Sequence, residues 1–415
     1  MADGTPSADA EDELPRLALR EPLPAVIEDP TALRITVEAV RGGCGPVAID
    51  AERASGYRYS GRAYLVQLRR EGFGTALIDP IPLGDLEALN DALGDSEWIV
   101  HAATQDLPCL AELGLRPTRL FDTELAGRLL NIPRVGLASL VKDLLGFSLA
   151  KEHSAADWSV RPLPAPWLEY AALDVEMLVE LREVLVDRLR ESGKLAWAHE
   201  EFEALTRFAG PAVRAEPWRR VSSIHRARGR LSLGIVRALW EARDLVAADT
   251  DTTPGRILSD AAIMEAAIEM PKGERELRSL PTMRHRAARQ NLTLWSDTVA
   301  ATLALAEDEL PTLAARYDGP PPARAWPERN PVAAARLAAC REALRSIAAQ
   351  HDLPTENLVA PDVVRRLAWE PPAIVNSDTV AAALRALSAR PWQVGLTSAA
   401  LADALVMLSA DDNVG

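Results

Sequence analysis

Asp50 and Glu52, in VAIDAE, stand two positions apart at the end of an apolar run. On a strand, residues i and i+2 share a face, so both carboxylates emerge on the same side. Asp106, in WIVHAATQD, comes just past another apolar run and near a helix start. Asp174, in YAALD, follows Tyr170 by four residues, a spacing that sets phenol and carboxylate on one helix face. Carboxylates converging from strand and helix ends repel one another unless cations neutralise them. Oxygen ligands suit Mg²⁺ or Mn²⁺ and not zinc, which prefers His and Cys. Two such ions about 4 Å apart clamp the attacking and leaving oxygens in phosphodiester hydrolysis. A tyrosine beside them orients the attacking water or helps deprotonate it. Each piece alone is ordinary: Asp106 also reads as a charge favouring a helix dipole, and Tyr170 with Asp174 as a half-exposed helix face. Their order along the chain is what gives them weight.

The elements that must position these groups are legible as texture. PVAIDAE, AYLVQLRR and GTALIDP are short apolar runs separated by Gly- and Arg-bearing turns, as sequential strands are. A helix over about 83–94, a strand EWIVHA, a helix from Thr104 and a strand-like RLF follow. Helices are expected at 123–131 and 136–145. After a loop rich in Pro and Trp (149–166), one long helix is expected from Trp167 to Leu189. Strands first, then strands alternating with helices, imply an α/β layer fold with a mixed sheet flanked by helices. Beyond about residue 205 only helical patterns remain, broken near Pro254, Pro271, Pro354 and Pro371. Two segments of similar length each run helix, Pro-bearing turn, helix, Pro break, helix, which hints at a duplication.

The expected organisation is an unstructured acidic leader (1–24), an α/β domain (25–210) and two all-helical modules (218–300 and 325–410). No apolar run approaches the roughly 20 residues that cross a bilayer. The first residues lack the basic and apolar regions of a signal peptide. Cys44, Cys109 and Cys340 are far apart and suggest neither a disulfide framework nor a zinc site, so a reducing cytoplasm is expected. The net charge of -14 speaks against a polyanionic partner at first sight, but the charge is uneven. Residues 1–30 hold eight acidic groups against Arg16 and Arg20, whereas residues 218–300 hold 14 Arg and Lys against 10 Asp and Glu.

The stretches VAIDAERASGYRYSGRAYLVQL, ALIDP, IVHAATQDLPCL, LFDTELAGRLL and LAKEHSAADWSVRPLPAPWLEYAALDV, in that order, resemble the ribonuclease D family of exonucleases. Within the broader DnaQ-like superfamily they resemble the branch whose third motif is Tyr-x-x-x-Asp. The resemblance covers residues 25–205. It implies a ribonuclease-H-like sheet, two divalent metal ions (Mg or Mn), and removal of nucleotides one at a time from an RNA 3′ end, typically in stable-RNA or tRNA maturation. Asp50 and Glu52 match the first motif, Asp106 the second and Asp174 the third, all as metal ligands. Tyr170 matches the water-positioning tyrosine. Lys151, Asp157 and Trp158 match the stretch before the third motif, with Ala156 where serine is common, and Gln105 stands where Asn or Glu is frequent. Residues 218–300 resemble an HRDC domain, a helical bundle associated with nucleic-acid binding, and 325–410 a more divergent copy.

Further residues carry two readings each. Arg53, His101, Lys151 and Trp158 are candidate substrate contacts, with His101 equally readable as a satisfied, half-buried histidine. Arg58 and Arg62 could meet phosphates as Arg53 could, or be solvated loop residues. Tyr57 and Tyr59 either stack on unpaired bases or pack at an edge. Arg219, Arg220, His225, Arg226, Arg228 and Arg230 form the best candidate for a phosphate-tracking patch, with Arg284, His285, Arg286 and Arg289 as its companion; a plain solvated face is the alternative. Asp122, in LFDTE, reads as a helix cap. The expected partner is single-stranded nucleic acid, an RNA 3′ end of the tRNA-precursor kind, and no membrane. The rivals are a DNA exonuclease of the same fold and a scaffold that has lost catalysis.

Overall fold

The computed structural model describes residues 14–149, 153, 155–314 and 319–406. Lys151 and the first 13 residues lie outside the described residues.

A six-stranded sheet carries the first half of the chain, in the order β1-β4-β3-β2-β5-β6. These are β1 (Val26–Ile27), β2 (Cys44–Arg53), β3 (Ala63–Glu71), β4 (Gly74–Ile78), β5 (Glu97–Val100) and β6 (Arg119–Asp122). β2, β3 and β4 form an antiparallel meander, while β1 adds parallel to β4, and β5 and β6 add parallel beyond β2. The sheet is therefore mixed. The β3–β4 turn needs Gly72 (φ +78) and Gly74 (φ +93), where a side chain would strain the backbone. β2 is flanked on both sides, and its Val47, Ala48 and Ile49 are fully buried.

The helix α1 (Pro30–Arg41) went unassigned by the sequence reading, although its start carries a signal. Asp29 accepts from the Thr31 and Ala32 amides, and Pro30 occupies the first helical position, where its missing N–H costs nothing. α2 (Leu107–Glu112) and α3 (Thr123–Leu129) follow β5 and β6. The single long helix expected from Trp167 to Leu189 is in fact two, α4 (Ala165–Glu176) and α5 (Leu178–Glu191). The break at Met177 is set by contacts from other elements. Glu176 is buried and pinned by Arg20 and Arg69, each at 3.4 Å, while Arg20 also donates to the Met177 sulfur. α4 thereby lies over β2, β3 and β4, and α5 turns towards β2, β5 and α3. Apolar periodicity runs through the break, so pattern alone reads one helix. The helix expected over 83–94 is shorter, Glu87–Leu93, and a separate helical turn, Pro80–Leu83, precedes it across Gly84 (φ +80).

The leader is also corrected in part. Residues 14–24 are fastened to the domain: Ser148 exchanges two backbone bonds with that segment (Leu17 N to Ser148 O, 2.9 Å; Ser148 N to Pro15 O, 3.0 Å). Leu17 is buried in the core. Acidic composition hid this because the acidic residues cluster before position 14 while the apolar anchors follow it.

The second half is helical and internally repetitive. α7 (Arg230–Asp249), the one-turn α8 (Pro254–Ile257) and α9 (Asp260–Glu269) recur as α10 (Pro331–Gln350), α11 (Thr355–Leu358) and α12 (Pro361–Trp369). The offset is constant at 101 residues (230 to 331, 254 to 355, 260 to 361). The turn after each long helix repeats too, with Asp251 (φ +42) and Asp352 (φ +50) both left-handed. The first module has its own core around Trp218, Trp295 and Met283. The last does not stand apart: its Trp326, Leu344 and Leu401 belong to one continuous core with Leu178, Leu181 and Phe202. α6 (Leu195–Thr206) joins them. Trp197 stacks on Trp392 at 5.1 Å, and buried Lys194 donates to the carbonyls of Leu129 and Asp352, each at 2.8 Å.

Candidate active site

Strand geometry places the first two carboxylates. Asp50 and Glu52 leave the same face of β2 just before its register shifts at Arg53. Opposite Asp50 in register lies fully buried Gln67, whose Nε2 donates to Asp50 Oδ2 at 2.8 Å. Asp174 comes down from α4, and carboxylate oxygens of Asp50, Glu52 and Asp174 lie within 4.8 Å of one another. Asp106 stands at the first turn of α2 yet makes no capping bond; its carboxyl instead lies beside that of Asp50 and 3.5 Å from Arg53 Nη2. The loop delivering it is held by Asp122, which accepts from the amides of Ala102 (3.1 Å) and Ala103 (2.9 Å) while capping α3. Tyr170, one turn before Asp174, sets its hydroxyl beside that carboxylate. All five residues named from the sequence thus meet at one end of the sheet.

Burial pushes every one of these acids upward. Asp106 and Asp174 stand well above the usual carboxylate range, first through desolvation and then through repulsion from Asp50. Glu52 is driven from 4.5 to about 10 by burial and by Asp50, Asp174 and Asp106. Asp50 is raised by burial, opposed by bonds from the Ala51 amide and Gln67. The phenol of Tyr170 is raised too, again by burial first and then by Asp174. Such a set of hard, crowded oxygen donors fits a divalent cation.

The sign of the resulting pH dependence is fixed. Between 4.5 and about 10 the folded, metal-free chain keeps on Glu52 a proton that the unfolded chain has released, so stability falls as pH rises through that window. A cation needs ionised ligands and expels the proton. Thermal unfolding of the metal-free protein should therefore drop in midpoint between about pH 5 and pH 9, while the stabilisation by Mn²⁺ grows over the same span. Stabilisation by Mn²⁺ that is flat with pH would contradict this electrostatic reading.

The candidate substrate contacts fare unevenly. Trp158 is corrected: its indole is fully buried, packed 5.5 Å from Trp167 and 6.5 Å from Tyr170 between ring centroids. It backs the tyrosine and does not reach a substrate. His101 sits under the surface with Nδ1 2.9 Å from Thr123 Oγ1, and burial lowers its pKa to about 4, which matches the satisfied-histidine reading. Arg53 stays at the site, facing Asp106 and lining a cavity with Glu52 and Gly56. Tyr57, Tyr59 and Arg62 are engaged with the first helical module, as described below, and are not free to stack on bases or hold phosphates. Arg58 donates from Nε to Ser159 Oγ at 2.8 Å.

In the basic run, Arg219 pairs with Glu216 (2.8 Å), lies over the Trp218 ring and donates to the Thr312 carbonyl. Arg230 donates to the carbonyls of Leu310 and Pro311. Both are structural, which removes them from the expected patch because their guanidinium donors are already engaged. Arg220, Arg226 and Arg228 remain exposed, as do Arg284, His285, Arg286 and Arg289.

Sequence reasoning missed three supporting groups. Gln67 orients Asp50 from a strand position that reads as ordinary. His153 sets its ring edge-on to Tyr170, 5.9 Å between centroids. Arg161 binds both oxygens of buried Asp79 and the carbonyls of Tyr64, Trp158 and Val160. This knot ties the strap before α4 to the end of β4. The Asp-Pro pair of LIDP carries a helix-start signal that points to Asp79 as a cap; nothing local points to Arg161.

A mixed sheet with crowded acids at its strand ends, one tyrosine on the adjoining helix and helical modules after it are the features of a 3′-5′ exonuclease with a candidate acidic metal site. Residues 24–190 match the family model described as 3′-5′ exonuclease, 232–299 that of the HRDC domain, and 319–405 that of a 3′ to 5′ exonuclease C-terminal domain. The chain is 32% identical over 335 residues to ribonuclease D of Gluconacetobacter diazotrophicus, spanning 78% of this chain and 81% of the relative. It is similar in structure to a protein from Bifidobacterium adolescentis (TM-score 0.86, 38% identity, 95% of this chain and 100% of that one). It is similar also to Escherichia coli RNase D, titled an exoribonuclease involved in structured RNA processing (TM-score 0.67, 25% identity, 93% and 98%). The chain belongs to the ribonuclease D family.

Proposed function

We propose that this exonuclease shortens RNA from its 3′ end, releasing nucleoside 5′-monophosphates, and that its work is the 3′ maturation of structured RNA such as tRNA precursors. The observation that carries the reading is the meeting of Asp50, Glu52 and Asp174 within 4.8 Å, with the Tyr170 hydroxyl beside Asp174. In this reading Asp50, Glu52, Asp106 and Asp174 hold two Mg²⁺ or Mn²⁺ ions. Bound there, the ions supply charge neutralisation for the attacking and leaving oxygens. Tyr170 keeps its proton, because burial and the surrounding acids raise its pKa, so it acts by hydrogen-bonding and orienting water rather than as a base. Gln67 keeps Asp50 turned to the site, and the Trp158 wall keeps Tyr170 over Asp174. Residues 25–210 form the catalytic unit, and the exposed arginines 220, 226 and 228 are candidate phosphate contacts. The helical modules would hold a substrate close to the cleft, raising its effective concentration.

Two relatives support RNA as substrate: one is named ribonuclease D, and the other is titled an exoribonuclease involved in structured RNA processing. Matched RNA and DNA oligonucleotides labelled at the 5′ end, digested with Mn²⁺ and with chelator, provide the test. The expected result is a metal-dependent ladder receding from the 3′ end of RNA, with DNA cut at least about tenfold more slowly, a discrimination of about 1.4 kcal/mol. Equal or faster digestion of DNA would move the assignment to a DNA exonuclease, and absence of both ladders would favour a scaffold.

A further inference from the structure

The first helical module grips one segment of the catalytic domain, the loop 54–62 between the Glu52-bearing strand and β3. Arg256 of α8 donates from Nε to the Gly56 carbonyl at 2.9 Å and lies 4.1 Å over the Tyr57 ring. The Thr253 amide donates to the Tyr57 carbonyl at 3.0 Å. Asp251 accepts from the Ser60 amide (2.9 Å) and from Arg62 (3.3 Å), and the Tyr59 hydroxyl donates to Asp244 at 3.0 Å. The loop has no strand or helix of its own. Its Ser55 and Gly56 line a cavity of about 280 Å³ together with Glu52 and Arg53.

We infer that the first helical module shapes the catalytic pocket through this loop, with Arg256 and Asp251 as positioning residues that fix the wall beside Glu52 and Arg53. This goes past a tether and rests on the exonuclease reading above. A loop bonded at five points by a neighbouring domain takes its shape from that domain, so the module acts on every substrate that fills the cavity, however short. The repeat supports a docking role for this turn. In the last module the equivalent Asp352 accepts from Asn131 at 2.7 Å and offers its carbonyl to Lys194, so the same left-handed turn binds the catalytic domain twice.

The test uses full-length Arg256→Ala and Asp251→Asn, assayed on the shortest RNA that the wild type digests and on a long single-stranded RNA. The loss in kcat/KM should be about tenfold and similar on both substrates. It should appear mainly in KM, with the Mn²⁺ concentration for half-maximal rate unchanged because none of the four carboxylates lies in the loop: Asp50 and Glu52 sit on β2, Asp106 at the start of α2 and Asp174 on α4. Tyr59→Phe, which loses only the contact with Asp244, should show the same pattern at about two- to threefold and serves if either stronger variant fails to fold. Wild-type kinetics on the short RNA with loss confined to the long one would overturn the inference in favour of a simple tether, and a loss carried by the Mn²⁺ requirement would also overturn it. A wild-type protein inactive on both RNAs would instead refute the exonuclease reading, so the two failures are distinct.

Discussion

Asp174→Asn is expected to stop 3′ digestion while leaving the protein folded, with a fall in kcat of at least about a thousandfold, equivalent to about 4 kcal/mol of transition-state stabilisation. The amide keeps the shape but contributes one neutral oxygen where a charged ligand is needed. Its effect on the metal-free fold should run the other way. Asp174 helps Asp50 and Asp106 raise the pKa of Glu52, and Asp50 raises that of Asp174 in turn, so removing one charge relieves repulsion. The midpoint of thermal unfolding without metal should stay level or rise, and the increment gained on adding Mn²⁺ should shrink. Asp50→Asn should behave alike. Turnover close to wild type from either variant would remove the metal-ligand assignment, and a collapse of the metal-free fold would show that the acids serve structure first.

Asp79→Ala is expected to be the most damaging change outside the carboxylates. Asp79 is buried and takes both its oxygens to Arg161, and it also caps the turn at Pro80 through the Ile81 amide at 2.9 Å. Breaking a buried pair by removing one partner costs about 3–5 kcal/mol. Arg161 retains 30% exposure, so solvent reclaims part of that charge and about 2–4 kcal/mol is the reasonable expectation. The denaturant midpoint should fall with an unchanged slope. Activity should fall as well, because the strap that Arg161 ties down carries Trp158, the wall behind Tyr170. Arg161→Lys should not rescue, since an ammonium cannot bind two carboxylate oxygens and three carbonyls in that planar arrangement. Full stability in Asp79→Ala would mean that the strap is held by apolar packing alone.

The parts of this site that could be read from the chain are those set by short periods. The two-residue spacing of Asp50 and Glu52 fixes a strand face, and the four-residue spacing of Tyr170 and Asp174 fixes a helix face, so both pairs came out where expected. Asp122 also caps α3 as its position suggested. What stayed hidden depends on contacts across long separations. Met177 breaks a helix because Arg20 and Arg69 reach Glu176 from other elements, and no local pattern records that. Trp158 looked available in a Pro-rich loop, but the loop folds inward once Arg161 finds Asp79. Arg219 and Arg230 looked like a free basic stripe because the carbonyls that occupy them, at 310–312, are eighty or more positions away. The duplication was faint in residue types yet plain in backbone register, since helix lengths and turns persist where side chains have diverged.

The most direct test of the central claim is to locate manganese in a crystal of the full chain by its anomalous scattering. The account predicts two peaks about 4 Å apart, bounded by Asp50, Glu52, Asp106 and Asp174 and absent from Asp174→Asn. A chain that digests RNA in Mn²⁺ while those four carboxylates hold no manganese would contradict it.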